Sequence, residues 1–268
     1  HVDAWGSVVR TRPDAKFIHM EKPRVEDTGM DTDSLQFESP TLDKRYTLFE
    51  RAVARESEKR CVFAKVGGPF LRTTRLRGFE QWLIDLVAEP EFSARLANRV
   101  ADHLRDVGVE SLRRGDLYDT GIWIFDDVAH NLGTLFSPRT FEQVFQPGYA
   151  RMVAAFKAAG ARFVFMHSDG DLRPILDQLI ELGIEGINPV EYKAGMRIDE
   201  LRRRYGDRLR FVGGIDNAHV LPSGDDREFT DHVANVVDLA REGGVVLGSH
   251  SIGPDIEVGR YDAFHELV

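Results

Sequence analysis

One stretch, Arg162-Phe163-Val164-Phe165-Met166-His167-Ser168-Asp169-Gly170-Asp171, constrains the fold of this chain more than any other. Phe163 to Met166 is apolar with no helical period, polar side chains follow at once, and Ile175, Leu176, Leu179 and Ile180 then repeat at helical spacing. An unbroken apolar run of this length reads as a strand buried on both faces, as in a parallel sheet. It delivers His167, Asp169 and Asp171 to the point where strand gives way to helix. In α/β folds that carboxyl end is where chemistry is placed.

The same unit recurs. Apolar runs at 61–66, 121–125, 162–166, 186–190, 209–212 and 245–248 predict strands, with helical patterns between them. Phe79, Trp82, Leu83, Leu86 and Val87 share one predicted helix face. Phe92, Leu96, Val100 and Leu104 repeat at steps of four on the next helix. Ser137 as N-cap and Pro138 at the first helical position announce a third, carrying Phe141, Val144 and Phe145. Pro147-Gly148 should break or kink it; Met152, Val153 and Phe156 resume the pattern, and Gly160 ends it. Asp171 is placed to cap the helix of Ile175 and Leu176, and Phe229, Val233, Val236 and Val237 mark a later one.

Strand and helix in alternation specify a parallel α/β sheet. Nothing reads Gly-x-Gly-x-x-Gly between a strand and a helix, which removes the usual sign of a dinucleotide fold. Polar groups end every strand rather than one switch point, so the expected fold is a TIM-type (β/α)8 barrel over 61–268. Residues 1–60, with Pro13, Pro23, Pro40 and short apolar pieces such as Lys16-Phe17-Ile18, are expected to be an N-terminal excursion packed on it. His1 replaces an initiator Met and an apolar helical pattern runs into Val268, so the expected chain is a piece of a longer protein that lacks part of its N-terminal region.

A formal charge of −9 without a basic stripe excludes a nucleic-acid surface. Arg202-Arg203-Arg204 lies beside Asp199 and Glu200 and reads as a solvated helix face. No run approaches the roughly 20 apolar residues of a membrane span and no signal peptide opens the chain, so a cytoplasmic location is expected. The single cysteine, Cys61, excludes an internal disulfide framework and a multi-cysteine zinc site. Its apolar neighbours suggest an inert buried thiol, and His103 and His232 are expected on helix surfaces.

In a barrel, one mouth receives Asp126, Asp127, His167, Asp169, Glu191, Asp216 and His250. So many carboxylates repel one another unless protons, arginines or a cation compensate. His167 and Asp169 are two apart at a strand end and turn to the same side, and His250 arrives from another strand. Three ligands with an open fourth position form a catalytic metal site, zinc being the expected ion. Each residue has a plainer role open to it: Asp169 in a turn, His167 or His250 hydrogen-bonded in the core, Asp126 serving its own loop. Gly68, Phe70, His130, Asn188, Glu191 and Asp216 are the expected substrate contacts.

His167-Ser168-Asp169-Gly170, Gly213-Gly214-Ile215-Asp216 and Gly248-Ser249-His250-Ser251-Ile252-Gly253-Pro254-Asp255 resemble, in order and spacing, the uroporphyrinogen decarboxylase superfamily. Gly67-Gly68-Pro69-Phe70 is similar to that family's Gly-x-Pro-aromatic turn. The resemblance covers roughly 61–268 and implies a (β/α)8 barrel. The superfamily includes zinc-dependent methyltransferases that work with methyl-corrinoid proteins, in which a His-x-Cys pair and a later Cys hold the zinc. Here His167 matches the His, Asp169 stands at the first Cys, and His250 stands at the second. One carboxylate and two imidazoles leave a zinc centre at about +1 rather than about zero, a stronger Lewis acid.

The resemblance therefore implies metal-dependent methyl transfer between a small methylated substrate and a corrinoid carried on a partner protein. Asp126 or Asp127 would give acid help and His250 would lie at the reacting centre; a homodimer is a further assembly to expect. A metal-independent decarboxylase of a porphyrinogen or other carboxylate is the alternative, and needs basic residues such as Arg72, Arg75 and Arg77 at the mouth. A non-catalytic tetrapyrrole-binding barrel is the third reading.

Overall fold

Apolar runs without helical period become strands, and apolar residues spaced by three and four become the buried stripes of helices. The structure, a computed structural model, describes residues 1–10 and 19–268. The six expected strands form at Ala64–Gly67, Gly121–Phe125, Phe163–His167, Gly186–Asn188, Arg210–Ile215 and Val245–Ser249. Two compact units divide the chain, His1–Asp126 with Phe136–Val164, and Asp127–Leu135 with Phe165–Val268. Among the described residues no helix is long and apolar enough to cross a membrane.

In the first unit Ala64–Gly67 and Gly121–Phe125 run parallel, Ala64 opposite Ile122 and Gly67 opposite Phe125. The helix Pro90–Gly115 buries Phe92, Leu96, Val100 and Leu104, as the steps of four require. In Phe79–Ala88 the predicted face is only half used: Trp82 and Leu86 are buried, whereas Val87 is 83% and Phe79 49% exposed. Ser137 accepts a hydrogen bond from the Thr140 N–H and Pro138 opens the helix, as predicted. Pro147 lacks the N–H for the regular ladder, and the chain accommodates it with a π-helical turn, Phe141–Phe145, before Gln146–Ala158 continues.

Residues 1–60 belong to this unit, so far as they are described, while Pro13 and Lys16-Phe17-Ile18 lie outside the described residues. Tyr46 donates to the Pro40 carbonyl, and Arg114 joins Asp43 and Glu50 to the end of the long helix. Two expectations are corrected here. Cys61 is exposed, because the strand starts only at Ala64. His103 is buried rather than on the surface, stacked on Phe37 and edge-on to Trp5, and burial drops its pKa to about 4.

In the second unit Phe165–His167, the later part of its strand, and the strands Gly186–Asn188, Arg210–Ile215 and Val245–Ser249 are parallel neighbours in that order. His167 stands opposite Asn188, and Ser249 opposite Ile215. The helix Asp226–Arg241, capped by Asp225, buries Phe229, Val233 and Val236. Arg203 and Arg204 are exposed as expected, while Arg202 reaches the carbonyls of Leu239 and Gly243. Asp171 does not cap a helix: the next one starts later, at Leu176, and Asp171 instead takes the Arg173 N–H and guanidinium. His232 is half-buried, its Nε2 accepting from the Asp216 N–H, which again corrects a surface expectation.

Candidate metal centre

The strand that ends at His167 hands over to a loop whose residues are each pinned. Ser168 is fully buried, its Oγ accepting from the Val128 N–H at 3.0 Å. The Asp169 N–H points to Asp127 Oδ1 at 3.4 Å, the Gly170 N–H to Glu191 Oε2 at 2.7 Å, and the Asp171 N–H to the His130 carbonyl at 2.9 Å. Gly170 has φ +86°, and a Cβ there would come within 2.6 Å of the His130 backbone. Only glycine fits that contact.

This loop and the end of the strand Val245–Ser249 bring three predicted ligands together. Asp169 Oδ1 is 3.5 Å from His167 Nε2 and 3.3 Å from His250 Nε2. One donor atom from each residue lies within 4.8 Å of the others. Donors held at about 2.1 Å from a tetrahedral ion are about 3.4 Å apart, close to the two measured separations. Asp169 Oδ1 is buried and accepts no hydrogen bond from the described residues, the condition of an oxygen that awaits a cation. The donors are two imidazoles and a carboxylate, a set that suits a divalent transition ion.

The surroundings are acidic. Asp127 Oδ1 lies 3.6 Å from His167 Nε2, and Glu191 Oε1 lies 3.8 Å from His250 Nδ1 and 3.0 Å from Lys193 Nζ. Burial, reinforced by Glu191 and Asp127, raises the Asp169 pKa; the two imidazoles pull the other way. A carboxylate that is costly to ionise here becomes stable once a cation neutralises it.

The other expected residues scatter. Asn188 faces His167, its Oδ1 2.6 Å from His167 Nδ1. Asp216 accepts from the N–H groups of Ala218 and His219, which hold its pKa below the usual range despite burial. His130 is exposed, with Nδ1 accepting from the Leu132 N–H. In the first unit Asp126 is fully buried and takes hydrogen bonds from Phe70 N, Leu71 N and Tyr149 Oη at 2.9, 2.6 and 2.7 Å. It thereby caps the helix Pro69–Arg77, whose own N-cap, Gly68, has no side chain to do so. A Cβ on Gly68 would sit 2.2 Å from the Asp126 side chain, so the glycine makes room for that cap. Phe70 is fully buried against Phe136 and Phe145. Among the supporting groups, Lys193 and Ser168 carried no signal in the sequence beyond lying next to predicted residues.

A protein-family model described as uroporphyrinogen decarboxylase (URO-D) matches residues 3–268. The chain belongs to the uroporphyrinogen decarboxylase family. No curated protein sequence matches it. Among solved structures it is similar to a methyltransferase from Methanosarcina mazei, with a TM-score of 0.73 and 18% identity over 99% of this chain and 76% of that one. That likeness establishes the fold class, α/β of the (β/α)8-barrel type, whose repeating unit is the parallel strand and helix seen in both units. The donors at the strand ends of this chain are imidazole and carboxylate, and its one cysteine lies in the first unit.

Proposed function

We propose that this family member is a metal-dependent methyltransferase acting on a small methylated substrate, with a corrinoid on a partner protein as the other methyl carrier. The observation that carries the reading is the meeting of His167 Nε2, Asp169 Oδ1 and His250 Nε2 around a buried oxygen without a donor. These three residues would hold the divalent ion, with zinc the expected one. When bound, it supplies a Lewis acid that draws charge from the substrate heteroatom. Asp169 would contribute the negative charge of the donor set, and Asp127, partly exposed beside His167, would hold or release the proton of that heteroatom. Asp126, saturated by three donors, serves the fold, and the same holds for Gly68 and Phe70. The exposed His130 ring is the expected substrate contact, with Glu191 supporting the loop.

The decarboxylase reading asks for cations around a multiply carboxylated substrate. Arg77 is instead spent on Asp85 in the first unit, and the metal centre is ringed by Asp127, Asp169 and Glu191. The test is metal content by elemental mass spectrometry, on the purified protein and on His167→Ala and His250→Ala, followed by methyl transfer assays with a methylated corrinoid. Close to one equivalent of metal, lost in both variants, together with metal-dependent transfer, is the expected result. A protein that takes up no metal after reconstitution, or transfers methyl groups equally well without it, refutes the proposal.

A further inference from the structure

His167 and His250 differ in what governs their ring nitrogens. Each offers Nε2 to Asp169, but among the described residues only His167 has a close partner on Nδ1: Asn188 Oδ1 at 2.6 Å, against 3.8 Å from His250 Nδ1 to Glu191 Oε1. Asn188 lies opposite His167 in the neighbouring parallel strand, where registered side chains share a face. Its amide has a fixed sense. Asn188 Nδ2 donates to the Val212 carbonyl at 3.0 Å, and a carbonyl can only accept, so the NH2 end must face Val212 and the oxygen must face the imidazole.

We propose that Asn188 is a positioning residue that sets the tautomer of His167, an inference that rests on the reading of His167 as a metal ligand. An amide oxygen can only accept, so Nδ1 carries the hydrogen and the Nε2 lone pair is presented toward Asp169 Oδ1. Left to itself in water, a neutral histidine favours the opposite form, with hydrogen on Nε2. Asp169, 3.5 Å away, would favour that form as well, and the coordinating nitrogen would then be blocked. The shorter contact to Asn188 overrides both tendencies. A chain of three strands thus assigns one proton: the Val212 carbonyl orients the amide, the amide orients the ring, and the ring exposes its donor. Because the partner is an amide and not a carboxylate, it does so without adding charge beside Asp127, Asp169 and Glu191.

The test is long-range 15N–1H correlation of the histidine rings in metal-free, 15N-labelled protein at a pH where imidazole is neutral, paired with zinc affinity by competition with a chelator. Wild type is expected to show His167 protonated on Nδ1. Asn188→Leu, similar in size but with no acceptor, should move His167 to the Nε2–H form and weaken zinc binding about 10- to 100-fold. Asn188→Asp, which restores the acceptor, should keep the Nδ1–H form and recover most of the affinity, and His250 should be unchanged in both. A wild-type His167 protonated on Nε2 overturns the assignment, and that spectrum decides it even where Asn188→Leu fails to fold. Unchanged zinc affinity in a folded Asn188→Leu overturns it too. Failure of wild type to bind zinc, with His167 nonetheless in the Nδ1–H form, instead overturns the reading on which the inference rests.

Discussion

Asp126 and Asp169 both stand just beyond the end of a parallel strand, one in each unit, and they meet opposite surroundings. Asp126 is fully buried and takes three hydrogen bonds. Asp169 lies in a more open position, yet its Oδ1 is buried with no donor among the described residues and faces two imidazole nitrogens. The same contrast holds more widely. In the first unit the buried Arg77 is paired with Asp85 at 2.6 Å and also donates to the carbonyls of Val25 and Glu26. In the second, Asp127, Asp169 and Glu191 converge on histidines. Arg77 and Asp126 have their valences filled and hold the fold together, whereas the Asp169 oxygen faces two side chains of a metal-ligating type with its valence open.

The first way to break this comparison is to attack the filled groups. Arg77→Met should cost about 3–5 kcal/mol by stranding Asp85 in the core, read by chemical denaturation. Asp126→Ala strands two N–H groups and the Tyr149 hydroxyl and should cost about 3 kcal/mol or more, while metal uptake by the folded fraction stays at the wild-type level. If Asp126→Ala folds normally and loses activity alone, Asp126 belongs to the chemistry after all. Asp169→Asn should do the reverse, abolishing most metal binding while leaving thermal unfolding of the metal-free protein unchanged or slightly raised.

Titration sharpens the contrast with smaller effects. The folded Asp169 carboxyl has a pKa raised above 3.8, chiefly by burial. Its contribution to the metal-free protein's stability is therefore present below 3.8 and falls away as the pH rises through the folded value. The ion must displace that proton, so metal affinity should fall on acidification through the same range. His103 has the opposite sign. Its folded pKa is about 4 against an ordinary 6.5, so its contribution is present above 6.5 and lost as the pH falls through about 4. Unfolding free energies of wild type and His103→Gln across that window measure it.

The strands and the residues at their carboxyl ends were legible because period and polarity are local properties. His167, Asp169 and His250 could be named for the same reason: a parallel strand brings whatever follows it to a common end. What could not be read is which polar group answers which. Asp126 looked like Asp127 in the sequence, and only the position of the Phe70 and Leu71 N–H groups separates them. The bond of Asn188 to the Val212 carbonyl joins residues 24 apart and has no local signature in the sequence. Asp171 precedes a helix that begins later, at Leu176, and is satisfied by Arg173 first, while the helical spacing around His103 does not reveal the aromatic rings of Trp5 and Phe37 that cover it. The apolar neighbours of Cys61 hide the fact that the strand starts only at Ala64, which leaves the thiol exposed.

The contact between Gly170 and the His130 backbone bears on how such a site can diverge. Any lineage that retunes the centre can exchange the side chain at 169 for another donor without touching that contact. It is not free to alter position 170, where even a methyl group would collide with main chain that has nowhere to go. Variation in ligand chemistry should therefore be found beside an unvarying glycine, and a designer seeking new specificity here has one adjustable residue mounted on one that is not.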